Sequence, residues 1–268
     1  MRCPKIVLTG LPGCGKTTVV KRTAGRTGPE GPEIDRIFSP KSIMFGNTKR
    51  FRRESCVIKG ILFDFGGVIS AFDSGIFFRA LTRWTDRTAG EMAAIVLEAD
   101  LPRRYESGRI SSREFFSAVT EACGLSISEG EFIDAFTGIF IPNETTFRLI
   151  RALKPSFRIA LLSNTNEWHF EHYIRTIEVF PLFDAVTLSY RVGEMKPGER
   201  IYRDSLRRIG LLPEECVFID DLEENVAGAE RLGIHGIHYT GHERLVASLN
   251  ALDIPVDPPP GSAGDRER

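Results

Sequence analysis

Four short segments carry side chains suited to moving a phosphoryl group: Asp64 in FDFGGV, Ser163 and Asn164 in LLSNTN, Lys196 in MKPGERIY, and the adjacent Asp220 and Asp221 in FIDDLEEN. An aspartate carboxylate can attack phosphorus and form an aspartyl-phosphate, which divides one hard hydrolysis into two easier steps. Asp64 and Asp221, with a backbone carbonyl at Gly66, supply the hard oxygens that Mg2+ prefers. Such a metal would neutralise the phosphoryl group, so that one anion can approach another. Lys196 would add a positive charge, and the Ser163 hydroxyl and Asn164 amide would add donors for the phosphoryl oxygens. Each residue alone has a plainer explanation. Asp64 could cap a helix, Lys196 could be a surface lysine, the two acids could form a solvated turn, and Ser163 and Asn164 could cap the following helix. Their occurrence together, each beside an apolar run, favours the chemical reading.

Those runs are the elements that must position the side chains. VIKGILFDF, from Val57, is almost continuously apolar and ends in an acid, the profile of a strand buried on both faces of a parallel sheet. Gly66 and Gly67 then let the backbone turn tightly around whatever binds there. Further on, FRIALLS, FDAVTLS, CVFIDD and IHGIHYT read as strands, and EWHFEHYIRTI, ERIYRDSLRRIG and ENVAGAERLG as the helices between them. That alternation predicts an α/β fold built on a Rossmann-like, doubly wound parallel sheet. Such sheets place their sites at the carboxyl ends of the strands, where the four segments fall. Residues 74–140 read as helical throughout, with Ser111, Ser112 and Ser128 as candidate N-caps ahead of Glu114 and Glu131. Phe77, Phe78, Phe115, Phe116, Phe132, Phe136 and Phe140 in this stretch are expected to be packing core. His235 and His238 read as neutral strand residues, because no Cys or acid spacing completes a zinc set around them. The Pro- and Gly-rich stretch 251–268 is expected to be a disordered tail.

In order, FDFGGV, LLSNTN, MKPGERIY and FIDDLEENV resemble the four motifs of the haloacid dehalogenase-like superfamily, in its branch of small sugar-phosphate phosphatases. The spacings from Asp64 to Ser163, Lys196 and Asp221 are 99, 33 and 25 residues in turn, and the likeness spans residues 57–247. It implies a core of residues 56–73 and 141–250 with a helical cap, residues 74–140, inserted after the first motif. It implies Asp64 as nucleophile, Ser163 and Asn164 as phosphate ligands, and Lys196 as the catalytic cation that also binds phosphate. It further implies Asp221 as a Mg2+ ligand supported by Asp220, and a small phosphorylated metabolite as substrate. Phosphatases of the superfamily commonly carry a second Asp two residues after the nucleophile as general acid, and here that position is Gly66. Either the leaving group is a good one, such as an anomeric hydroxyl, or a water or a cap residue supplies the proton.

The N-terminus presents a separate motif. Gly10, Gly13, Gly15, Lys16 and Thr17 satisfy GxxxxGK[ST] between a predicted strand and a predicted helix, and so resemble the start of a nucleoside triphosphatase or nucleotide kinase. Residues 1–55 are otherwise mostly Gly/Pro linker and a basic run, too short for a nucleotide-binding domain, so a partial segment is expected. Composition narrows the remaining classes. The chain has 268 residues, 42% hydrophobic and 26% charged, with a formal charge of −1, so no global field steers it to nucleic acid or an anionic membrane. No apolar run is long enough for a membrane span. Five scattered cysteines without a CxxC pair point to a reducing, cytoplasmic setting. Monomer and homodimer are equally compatible with the sequence. Three other activities remain compatible with the residues: a 2-haloacid dehalogenase, which also uses an aspartate nucleophile, a catalytically silent binding protein, and a nucleotide-binding protein using the N-terminal loop.

Overall fold

The computed structural model describes residues 57–256; Gly10, Gly13, Gly15, Lys16 and Thr17 lie outside the described residues, as do 257–268. The chain runs β1 (Gly60–Phe63), β2 (Ser70–Phe72), α1 (Ser74–Leu81), α2 (Ala89–Glu98), α3 (Leu101–Glu106), α4 (Ser112–Cys123) and α5 (Glu129–Thr137). It continues β3 (Phe140–Pro142), α6 (Glu144–Leu153), β4 (Arg158–Ser163), α7 (Glu167–His172), β5 (Ala185–Leu188), α8 (Ser189–Val192) and α9 (Glu199–Ile209). The last elements are β6 (Cys216–Asp220), α10 (Glu223–Glu230), β7 (His235–His238) and α11 (His242–Ala251).

Five strands form one parallel sheet in the order β5-β4-β1-β6-β7. The chain starts at the centre, winds outward through β4 and β5, then returns to the other side of β1 for β6 and β7. The reversal leaves a crevice at the carboxyl end of β1, between β4 and β6. Ile61, Leu62 and Phe63 of β1 are fully buried, because helices cover both faces of the sheet. One face packs Ile61, Phe63, Ile159, Leu161, Val217 and Ile219 against α6 and α11, and the other packs Leu62, Leu162 and Phe218 against α9.

The helices α1–α5 lie between β2 and β3, which pair antiparallel as a two-stranded ribbon. Periodicity did not predict that ribbon. Each strand has three residues, too few to show alternation, and the second ends in proline. Ser111 and Ser128 do cap α4 and α5, each in a reciprocal capping box with Glu114 or Glu131, while Ser112 is the first helical residue. The inserted helices have their own core, which includes Phe77, Phe78, Phe115, Phe132 and Phe136; Phe116 and Phe140 pack partly buried against it. Trp168 of α7 joins that core from the sheet side. Residues 251–256, expected within a disordered tail, lie against the core instead: α11 runs to Ala251, and Ile254 is buried with Leu245 and Leu249. Leu252, Ile254 and Val256 all pack against that core, and their burial outweighs the bias of Pro255 against regular structure. Among the described residues no helix is long and apolar enough to cross a membrane.

Candidate active site

Strand register brings the four segments together. Phe63 of β1 is level with Leu161 of β4 and Ile219 of β6, so Asp64 emerges level with Leu162 and Asp220. The Asp64 N–H donates to the Ile219 carbonyl at 2.9 Å and holds the carboxylate at the sheet edge. Lys196 enters from the loop before α9 and is buried. Its ammonium lies 2.6 Å from Asp64 Oδ1 and 2.6 Å from Asp220 Oδ2, and donates to the Leu162 carbonyl at 3.1 Å. All three donor directions of the ammonium are therefore spent on fixed acceptors.

Burial opposes the lysine's charge, but Asp64 and Asp220 together outweigh it and hold its pKa above the usual lysine value. Burial pushes Asp64 well above the usual carboxylate range, Lys196 pulls it back, and Asp220 pushes it further up. Asp221, half-buried, is raised by burial and by its neighbour Asp220. The site therefore concentrates more negative charge than its lysine balances.

The carboxylates of Asp64, Asp220 and Asp221 offer oxygens within 4.8 Å of one another. Their other partners differ. Asp220 accepts from the Leu222 N–H at 2.8 Å and from Asn225 Nδ2 at 3.0 and 3.1 Å, besides Lys196, so its lone pairs are largely spoken for. Asp64 Oδ2 accepts from no donor among the described residues. Asp221 lies against the glycine turn, and a Cβ placed on Gly67 would come within 2.2 Å of its Oδ2. Gly67 has φ +74°, so the turn needs glycine for both conformation and space. The Gly66 carbonyl accepts no hydrogen bond among the described residues, whereas the neighbouring Phe65 carbonyl takes two, from Ile69 and Ser70. This donor set of hard oxygens with excess negative charge fits a divalent cation such as Mg2+.

Ser163 is buried at the end of β4, and its hydroxyl makes only a long 3.4 Å contact with the Asn164 carbonyl. Asn164 does something the sequence did not suggest. Its amide brackets the Lys196 backbone, accepting from the Lys196 N–H at 2.8 Å and donating to its carbonyl at 3.1 Å. Asn164 thus seats the lysine, and its second amide N–H remains for another acceptor. Sequence reasoning also passed over Asn225, which anchors Asp220 from the first turn of α10; its place in the FIDDLEEN segment was the available signal. His235 and His238 stand on β7 and donate through Nε2 to the backbone carbonyls of Glu214 and Asp221.

The inserted helices are fastened beside this edge. Ser189 Oγ, at the start of α8, contacts the Glu106 carbonyl at 2.6 Å and the Thr165 carbonyl at 3.0 Å, while accepting from the Thr165 N–H at 2.9 Å. Tyr105 accepts from the Trp168 N–H at 3.2 Å and shares a 2.7 Å hydrogen bond with Ser112, which also bonds Glu167. His169 lies 3.2 Å from the Phe136 carbonyl through Nε2 and 3.0 Å from Asn166 Nδ2 through Nδ1. A carbonyl can only accept, so Nε2 carries the proton, and burial holds the ring neutral with a pKa lowered to about 4.

The sequence profile of the haloacid dehalogenase-like hydrolases matches residues 58–233, and the chain belongs to that family. D-ribitol-5-phosphate phosphatase of Bacteroides thetaiotaomicron is 28% identical over 66% of this chain and 89% of its own length. The sesquiterpene phosphatase astK of Aspergillus oryzae is 26% identical over 72% of this chain and 96% of its own. Among solved structures, a HAD family enzyme of B. thetaiotaomicron in complex with magnesium superposes with TM-score 0.60 at 27% identity, covering 68% of this chain and 93% of that one. These likenesses accord with the resemblance carried by the four motifs.

Proposed function

We propose that this protein is a Mg2+-dependent phosphatase that hydrolyses small phosphate monoesters through an aspartyl-phosphate on Asp64. The observation that carries the reading is the trio of carboxylates within 4.8 Å at the edge of a parallel sheet, with a buried lysine bonded to two of them. The relatives named D-ribitol-5-phosphate phosphatase and sesquiterpene phosphatase support the phosphomonoester class.

Asp64 Oδ2, the oxygen not held by Lys196, attacks phosphorus, and the ester oxygen leaves on the opposite side. Lys196 fixes the rotamer of Asp64 through Oδ1 and counters charge on the phosphoryl oxygens. Ser163 Oγ and the remaining Asn164 amide N–H donate to those oxygens. In the second step water attacks the phosphorus, the bond to Asp64 breaks, and inorganic phosphate leaves. Asp64, Asp221 and the Gly66 carbonyl would hold the Mg2+, with Asp220 orienting the neighbouring groups. When bound, the ion supplies charge neutralisation for the incoming phosphate and for the phosphoryl group in flight. The helices of residues 74–140 act as a cap over the site and set which ester is accepted. The wide spacing of the cysteines, with Cys123 and Cys216 both buried, supports a cytoplasmic setting.

The test is phosphate release from a panel of small phosphomonoesters, with and without Mg2+, for the wild type and Asp64→Asn. Release that needs Mg2+ and disappears in Asp64→Asn is expected. Release unaffected by the substitution would remove Asp64 from the chemistry and overturn the reading.

A further inference from the structure

An alkoxide expelled from phosphorus must take a proton, and a well-placed acid speeds that step by roughly 10²–10⁴-fold. The groups already assigned do not offer one. Lys196 donates to three fixed acceptors, Asp220 is filled by donors, and Asp64 is the nucleophile. His169 has both ring nitrogens occupied at the joint between the inserted helices and the sheet. Gly66 has no side chain to supply a proton, and a Cβ there would lie 3.1 Å from Phe72 Cε1.

Glu106, the last residue of α3, is a carboxylic acid held beside the site by its backbone. Its carbonyl is clamped by Ser189 Oγ, whose other two bonds run to Thr165, next to Ser163 and Asn164. Two residues on, Gly108 lies so close to the core that a Cβ would stand 2.3 Å from the Tyr190 carbonyl. These contacts fix the end of α3 against the phosphate-side loop. The side chain is half-buried, and its carboxyl makes no hydrogen bond or ion pair among the described residues. The charge that acts on it is that of Lys196, at the centre of the site.

Resting on the phosphatase reading above, we propose that Glu106 is the acid that protonates the leaving alkoxide and then the base that activates the hydrolytic water. In the first step Asp64 Oδ2 bonds to phosphorus, the bond from phosphorus to the ester oxygen breaks, and that oxygen takes the Glu106 proton. In the second step water gives a proton to the Glu106 carboxylate while its oxygen bonds to phosphorus. The bond to Asp64 then breaks, which releases phosphate and restores both carboxyl groups. Burial raises the Glu106 carboxyl to about 7, against the pull of Lys196, so both forms are accessible near neutral pH.

The test compares the full-length wild type, Glu106→Gln and Glu106→Asp with Mg2+, on glycerol phosphate and on p-nitrophenyl phosphate, whose leaving group needs no proton. Circular dichroism checks the fold of each variant. Glu106→Gln should lose roughly 10²–10⁴-fold in kcat on glycerol phosphate. On the nitrophenyl ester it should still release a burst of nitrophenolate equal to the enzyme and then turn over slowly, because the second step lacks its base. Glu106→Asp should recover part of the glycerol phosphate activity. Equal losses on both esters without a burst would indicate a structural role and overturn the inference. Wild-type rates in Glu106→Gln would overturn the inference alone, whereas a wild type inert toward every phosphate ester would overturn the phosphatase reading and the inference with it.

Discussion

Lys196→Met tests whether the centre of the site is an electrostatic lock. Methionine approximates the length and volume of the lysine stem, so the change removes charge and donors with little change in packing. The side chain of Lys196 is 1% exposed and holds two carboxylates at 2.6 Å each, so its loss leaves buried charge without a counterion. Breaking such a buried pair costs about 3–5 kcal/mol. Asp220 keeps the Leu222 N–H and Asn225 as donors, so most of the penalty falls on Asp64. The pH dependence follows. The folded-state pKa of Asp64 lies above its unfolded value, chiefly through burial, with Lys196 the strongest influence pulling it down. The contribution of Asp64 to stability is therefore complete below the unfolded pKa and is lost as pH rises through the folded one. Removing Lys196 lifts the folded pKa further above the wild-type value of about 8, so the deficit of the variant relative to wild type must grow as pH rises past that value. Urea unfolding in EDTA should show a deficit of about 3–5 kcal/mol at pH 9.5, above the wild-type folded pKa, or about 2 M in midpoint at a slope of ~2 kcal/mol/M, and a smaller one at pH 6, below it. A deficit below about 1 kcal/mol at pH 9.5, the range of an exposed pair, or one as large at pH 6, would refute the argument.

Two further perturbations probe the supports of the site. Gly67→Ala puts a Cβ 2.2 Å from Asp221 Oδ2 at a φ of +74°. It should cost about 1–2 kcal/mol in backbone strain and, by displacing Asp221, shrink the rise in Tm on adding Mg2+; an unchanged rise would separate Asp221 from the metal. His169 is held neutral with a pKa lowered from 6.5 to about 4, so between those values the unfolded chain binds more protons and stability rises with pH. The expected gain is roughly 3 kcal/mol across the window, and urea unfolding of His169→Gln should show a pH slope flatter by that amount. Parallel slopes for variant and wild type would mean that the ring titrates freely in the folded state.

How far the sequence reaches can be followed residue by residue. The acid-tipped runs were legible because a strand buried on both faces is apolar throughout, so a carboxylate at its end stands out. Asp64, Asp220 and Asp221 are of that kind, and the motif order added Ser163, Asn164 and Lys196. What no single run encodes is that β1 lies between β4 and β6 in a register that puts Asp64 level with Leu162 and Asp220. The threefold engagement of Lys196 depends on that register. Asn164 shows the same limit: its type suggested a donor for phosphate, yet the tertiary fold uses both ends of its amide to seat the lysine backbone.

Glu106 marks where local reading stops. In sequence it is one of many charged residues on helical segments, flanked by Tyr105 and Ser107, with nothing to separate it from a solvated glutamate. Its surroundings are assembled by three distant contributions: Ser189 from α8, the close approach of Gly108 to Tyr190, and Lys196 from the loop before α9. A capping element can vary its inward residues without disturbing its own core, because the packing in α1–α5 is carried by other side chains, Phe77, Phe115, Phe132 and Phe136 among them. The phosphate-handling groups enjoy no such freedom. Each is tied to strand ends through bonds that also hold the sheet edge together, as with the Asp64 N–H to Ile219 and Lys196 to Leu162. Chemistry common to the family is therefore written at strand ends, in short readable runs. On the inference above, the proton donor comes from a helix end whose position only the folded chain defines.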